Sequence, residues 1–78
     1  MKSLIEFIAS SLVDNPSRVQ VSQIRRGSQV ILKLEVAKED MGRVIGKSGK
    51  VANAMRTLLR VTAAQQGNRA VLDIVEPE

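Results

Sequence analysis

Residues Gln29 to Val36, QVILKLEV, alternate more strictly than any other stretch of the chain. Val30, Leu32, Leu34 and Val36 fall on one side, and Ile31, Lys33 and Glu35 on the other. A period of two is the mark of a strand with one buried face. Such a strand needs partner strands at its edges and a second layer over its apolar side, which the rest of the chain must supply. From Arg18 to about Arg26, Val19 and Val21 keep the alternation while Ile24 is out of phase, which predicts a strand with a bulge or an early exit. Gly27-Ser28 joins the two as an antiparallel hairpin. A last strand is predicted over Arg69 to Val75, with Ala70, Leu72 and Ile74 on one side.

The covering layer is helical. Leu4, Ile5, Ile8 and Leu12 recur with a period near 3.6, and Ser3 and Glu6 have the spacing of a capping box. Phe7 is read on the apolar side of the same helix and is expected in the core. Asp14-Asn15-Pro16-Ser17 ends this helix, because proline cannot continue the hydrogen-bond ladder. Lys38-Glu39-Asp40 opens a short helix running to about Ile45, its carboxylates placed where the helix dipole favours them. Gly46 to Gly49 breaks the chain, and a longer helix follows from about Lys50 to Gln66. Its stripe is Val51, Met55, Leu58, Leu59 and Thr62, and Gly67-Asn68 signals the end. The order α-β-β-α-α-β predicts an α+β two-layer sandwich, with three helices on one face of a three-stranded mixed sheet. Residues 1–78 form one domain, without repeats or linkers.

A domain of this size buries only roughly 60% of the surface that its unfolded chain exposes. With no cysteine, it has neither a disulfide staple nor a thiolate metal site, which favours a reducing cytoplasm. The apolar N-terminal run carries Glu6 and helical spacing, unlike a signal peptide, and no stretch approaches the ~20 residues of a membrane span. The net charge of +4 is unevenly spread: no acidic residue lies between Asp40 and Asp73, where Arg43, Lys47, Lys50, Arg56, Arg60 and Arg69 are found. A solvated helix face ordinarily mixes signs in i,i+4 pairs, so this segment points to an anionic partner. Phe7 is the one aromatic residue, which excludes base recognition by stacked aromatic rings.

Two phosphate-binding readings meet at Gly42 to Gly49, GRVIGKSG. A nucleotide-hydrolase loop needs four residues between its glycines, but only Arg43, Val44 and Ile45 separate Gly42 from Gly46. That loop would also contain Val44 and Ile45, which read as core. The alternative is a GxxG turn, Gly46-Lys47-Ser48-Gly49, reversing the chain between two helices. Bare of side chains at both glycines, it lets a sugar-phosphate backbone approach the main chain at the start of a helix. Lys47 and Lys50 add mobile charge, and Ser48 a hydroxyl donor. Catalysis is poorly supplied: the chain has no His, Cys, Tyr or Trp, and no carboxylate pair or metal-ligand cluster is evident, so an enzyme, a cofactor and a bound metal are not expected.

The stretch Val44-Ile45-Gly46-Lys47-Ser48-Gly49-Lys50 is similar to the V-I-G-x-x-G-x signature of KH domains, and the element order resembles their bacterial type II form. In VDNP, EDMGRVIGKSGK and AMRTLLR the chain resembles the short bacterial RNA-binding proteins of the KhpA (YlqC) family. Many KH domains have isoleucine three residues after the second glycine; Ala52 stands here, as is usual in this subgroup. The resemblance implies a type II KH-like sandwich that clamps single-stranded RNA in a groove beside the GxxG loop, between the second helix of the pair and a sheet edge. The implied site is Arg43, Gly46, Lys47, Ser48, Gly49 and Lys50, with Arg43, Lys47 and Lys50 on phosphates and Arg56 and Arg60 adding field. It further implies a low-specificity post-transcriptional regulator or RNA chaperone, a homodimer through the Ala52 to Arg60 part of the helix, and pairing with a larger Jag (KhpB)-type KH protein linked to cell elongation, cell shape and cell wall organisation. The competing readings are a module used mainly for protein assembly, and duplex DNA binding through the helix–turn–helix corner.

Overall fold

The computed structural model describes residues 1–75. The expected domain of residues 1–78 extends past them. Three helices and three strands follow one another as α1 (Lys2–Leu12), β1 (Gln20–Arg26), β2 (Gln29–Glu35), α2 (Met41–Ile45), α3 (Lys50–Gln65) and β3 (Arg69–Val75). The sheet order is β1-β2-β3, so the strand with the strictest alternation is the central one. β1 pairs with β2 antiparallel, and β2 with β3 in parallel through the crossover that contains α2 and α3. The expected α+β mixed sheet is the observed one.

Val30, Leu32, Leu34 and Val36 are almost fully buried, together with Ile5, Ala9, Val44, Met55 and Leu59. These residues form one core between the sheet and its helices. In α3 the buried positions are Ala52, Met55, Leu59 and Ala63, spaced three, four and four. The expected stripe was therefore rotated: Met55 and Leu59 belong to it, Val51 and Thr62 are half-buried, and Leu58 is 48% exposed. Alanines carry weak apolar signal in a sequence, yet their small size is what lets a helix lie close to a sheet. Two bonds close α3, from Asn68 N–H to Ala63 O at 2.8 Å and from Gly67 N–H to Ala64 O at 3.1 Å, the paired pattern of a Schellman end.

Three expectations are corrected. Phe7 is 72% exposed, because two residues of helix turn it to the side opposite Ile5. Ser3 lies inside α1, whose N-cap is Met1 without a side-chain cap bond, so the capping box does not form. β1 carries no bulge: its register with β2 is continuous from Gln20 opposite Glu35 to Arg26 opposite Gln29. Ile24 pairs with Ile31, which pairs with Val71, so the residue that broke phase belongs to an apolar row on the open face of the sheet.

Asp40, read as a first-turn carboxylate, is a structural bolt. It closes a 3-10 turn, Lys38–Asp40, ahead of α2 and is 1% exposed. Its two oxygens accept from the Asp14 and Asn15 amides at 3.1 Å each, tying the chain after α1 to the start of α2.

Candidate nucleic-acid interface

The turn between α2 and α3 is held from behind. Gly46 N–H closes α2 by donating to Gly42 O at 2.9 Å. Gly46 then adopts φ 75° and ψ 173°, a conformation essentially reserved for glycine. A Cβ placed there would collide with Val51 Cγ2 and lie 2.8 Å from Val51 Cβ. The absent side chain thus makes room for the next helix, not only for a ligand. Gly49 is different: at φ 75° and ψ 13° it is left-handed, but an added Cβ would meet only Asn53 Nδ2 at 3.9 Å. Between them Ser48 is left-handed without being glycine, at φ 57° and ψ 27°. Backbone of this kind persists only where the surroundings over-determine it. Here, the core contacts of Val44 and Val51 on either side supply that constraint.

The turn's amides divide into two pairs. Gly49 N–H donates to Gly46 O at 3.2 Å, and Lys50 N–H turns back to Lys47 O. The amides of Gly49 and Lys50 are thus consumed by the bend itself. The amides of Lys47 and Ser48 have no acceptor among the described residues, and both residues are exposed. The N-terminus of α3 carries no side-chain cap bond either, which leaves the positive end of a 16-residue helix beside them.

The three cations assigned to phosphate are not equivalent. Lys47 and Lys50 are exposed and have no carboxylate partner among the described residues. Arg43 is engaged: its Nη2 donates to Asp14 Oδ2 at 3.0 Å, and its Nε lies 3.5 Å from Asp40 Oδ1. With Asp40 it fastens α2 to the segment after α1, so its first role is to hold the helix that leads into the turn. The Asp14–Arg43 pair spans 29 residues and leaves no local trace in the sequence. Ile45, expected in the core beside Val44, is 38% exposed at the rim of the turn.

A groove runs between α3 and the edge strand β3. Arg56, Arg60, Ala70, Val71 and Leu72 enclose about 200 Å³ of it, an aliphatic floor under two guanidinium groups. Arg56 is partly committed, donating to Asn53 Oδ1 at 3.3 Å on its own helix. The β3 contribution to this wall was not marked by sequence spacing, because Ala70 and Leu72 read as core and Val71 as a solvent-side residue. Among the described residues no three Asp or Glu side chains cluster as a metal site would require, and no helix is long and apolar enough to cross a membrane.

The chain matches the family model described as KhpA/KhpB, KH domain, over residues 2–74. It is 49% identical over 75 residues to the RNA-binding protein KhpA of Clostridium acetobutylicum, covering 96% of this chain and 100% of that protein. It is 44% identical over 75 residues to the RNA-binding protein KhpA of Treponema pallidum, covering 96% and 94% of the two chains. The corresponding protein of Aquifex aeolicus is 40% identical over 76 residues, with 97% and 96% covered. No solved structure matches the chain significantly. With a match that runs from α1 into β3 and relatives of nearly the same extent, this chain belongs to the KhpA/KhpB family of KH domains.

Proposed function

We propose that this chain binds single-stranded RNA and grips its backbone at the turn formed by Gly46, Lys47, Ser48 and Gly49. The observation that carries this reading is the pair of unengaged amides at Lys47 and Ser48, flanked by the free ammonium groups of Lys47 and Lys50. Backbone N–H groups and mobile cations at a helix N-terminus suit a phosphate oxygen, and they carry no base code. Gly49 leaves open space for the ligand backbone, and the Ser48 hydroxyl adds a rotatable donor. Arg43 stays in the assigned set chiefly as the residue that fixes α2, its Nη1 unbonded among the described residues. Bases then rest on the aliphatic groove between α3 and β3. Relatives named RNA-binding protein KhpA support the same ligand class.

Binding of this kind follows salt. The log of affinity for single-stranded RNA falls linearly with the log of salt concentration, by about 0.7 per phosphate neutralised. With Lys47 and Lys50 as the free cations of the turn, we expect a slope of at least about −1.4, and Lys50→Ala to reduce it by about 0.7. Titration of a labelled oligonucleotide at several salt concentrations measures both numbers. An affinity indifferent to salt would refute the reading.

On this proposal the protein is a binder and not an enzyme, acting in the cytoplasm as a low-specificity post-transcriptional regulator or RNA chaperone. A second KH protein of the KhpB (Jag) type is its expected companion, in the control of cell shape and cell wall organisation.

Assembly is the second reading, and one observation favours it. Leu58 and Val61, one turn apart on the outer side of α3, are 48% and 54% exposed. The proposed dimer surface therefore shifts from the whole Ala52 to Arg60 stretch, since Ala52 is buried, to this pair. Leu58→Asp is expected to halve the mass seen by light scattering while far-UV circular dichroism stays unchanged. A wild type of monomer mass would remove the assembly reading.

A further inference from the structure

The sheet has two edges, and only the β3 edge borders the groove. β1 is the outer strand on the opposite side. Its pairing with β2 is unbroken from Gln20 to Arg26, so its outer side is as regular as its inner one. A two-residue turn puts the flanking pair, Arg26 and Gln29, in the hydrogen-bonded position of the ladder, and the positions then alternate. Val21, Gln23 and Arg25 therefore turn their N–H and C=O groups away from β2. Among the described residues no turn, loop or side-chain hydrogen bond meets the backbone of residues 20–26. Every residue of the strand except Val21 is exposed. Sheets ordinarily blunt such an edge with proline, a bulge, a covering segment or charge, and β1 has only charge.

That charge has one sign. No acidic residue lies between Asp14 and Glu35, a stretch that holds Arg18, Arg25, Arg26 and Lys33. Glu35, the nearest carboxylate in register, stands opposite Gln20, at the other end of the strand from Arg25 and Arg26. Arg25 is held only by two bonds of 3.4 Å, to Gly27 O and Asn68 Oδ1, which a carboxylate outcompetes. The two faces of the edge differ. Ile24 is 41% exposed on the open face, at the end of the apolar row that runs through Ile31 to Val71. Gln23 and Arg25 alternate with it onto the helix side. A strand laid along β1 would extend the apolar row on one face and meet Arg25 on the other.

We propose that the outer edge of β1 receives an extended acidic segment of a partner protein as a fourth strand, with an apolar side chain beside Ile24 and carboxylates beside Arg25 and Arg26. Main-chain bonds to the outward groups of Val21, Gln23 and Arg25 give the affinity, and charge selects the partner. A second copy of this chain fits less well. β1 against β1 brings Arg18, Arg25 and Arg26 of both copies to one seam, with no acid in the strand to offset them. RNA fits less well too, because its phosphates accept from amides but donate nothing to the carbonyls that alternate with them. The edge lies across the sheet from the groove, so the proposal holds whether or not the turn binds RNA.

The test is NMR titration of the whole chain with an acetylated, amidated peptide of about eight residues that alternates glutamate and valine, long enough to span β1. At saturation the amides of Val21, Gln23 and Arg25 are expected to exchange with solvent at least about tenfold more slowly, while those of Lys47 and Ser48 keep their shifts. The same peptide with lysine for glutamate should bind at least about tenfold more weakly, and so should the glutamate peptide with every backbone amide methylated. Gln23→Pro removes one outward N–H from an edge strand, where proline is tolerated, and should cost a similar factor. The methylated peptide carries the same test without touching the fold. No binding by the glutamate peptide, equal binding by its methylated form, or shifts confined to the α3–β3 groove would overturn the fourth strand. So would protection of β1 that rises with protein concentration in the absence of peptide, which assigns the edge to a second copy. Equal protection by oligouridylate would overturn it as well, assigning the edge to RNA.

Discussion

Replacing Lys47 and Ser48 together by aspartate is expected to remove RNA binding and leave the fold intact. Each substitution places a carboxylate where a phosphate oxygen would sit, beside the two amides that have no acceptor. Losing two charge-assisted contacts alone amounts to about 3 kcal/mol or more, a factor on the order of 100 in affinity, before repulsion is added. Stability should barely change. Both side chains are exposed, and neither makes a side-chain hydrogen bond among the described residues. Aspartate is among the few residues that tolerate the left-handed backbone of Ser48, and a carboxylate near the start of α3 suits the helix dipole. Gel shift and a thermal melt measure the two halves of the statement. Binding equal to wild type would sink the assigned site, whatever the melt shows.

Gly46→Ala should do the reverse, damaging the fold first. The methyl group collides with Val51 at the edge of the core, and the backbone cannot relax because φ 75° with ψ 173° is closed to alanine. Backbone strain and overpacking together are expected to cost roughly 3 kcal/mol or more. In a domain of this size that lowers the melting temperature by more than about 10 °C. Gly49→Ala is the internal control, since its methyl group meets only Asn53 Nδ2 at an ordinary contact distance of 3.9 Å and only the left-handed backbone opposes it, at about 1–2 kcal/mol. Equal melting temperatures for the two variants would show that Val51 does not hold the turn in shape.

The architecture was legible because its signals are local. Strict alternation in β2, a two-residue turn at Gly27-Ser28, and glycines at the ends of α2 and α3 each act within a few residues. What escaped was long-range or rotational. Asp40 looks like an ordinary helix-opening acid until the chain after α1 is folded back onto it, 25 and 26 residues away. The same return journey captures Arg43, which the sequence offered as a free cation. The face that α3 buries is set by two alanines whose weak hydrophobicity was outvoted by Leu58. Phe7 was placed on the apolar side of α1, when its position two residues from Ile5 turns it outward. At the turn itself, spacing correctly identified where the chain bends. It could not reveal which amides are consumed by the bend and which are left for a ligand.

The parallel pairing of β3 with the central strand has a consequence for biogenesis. The hairpin and α1 can begin to associate early, but the sheet lacks its third strand until β3, made after both intervening helices, has crossed back over them. Closing that long loop must precede any reward from strand pairing, which makes it the expected slow step. On the ribosome, the groove wall would thus be completed only after β3 clears the exit tunnel, and a nascent chain would have no finished groove with which to capture RNA until then.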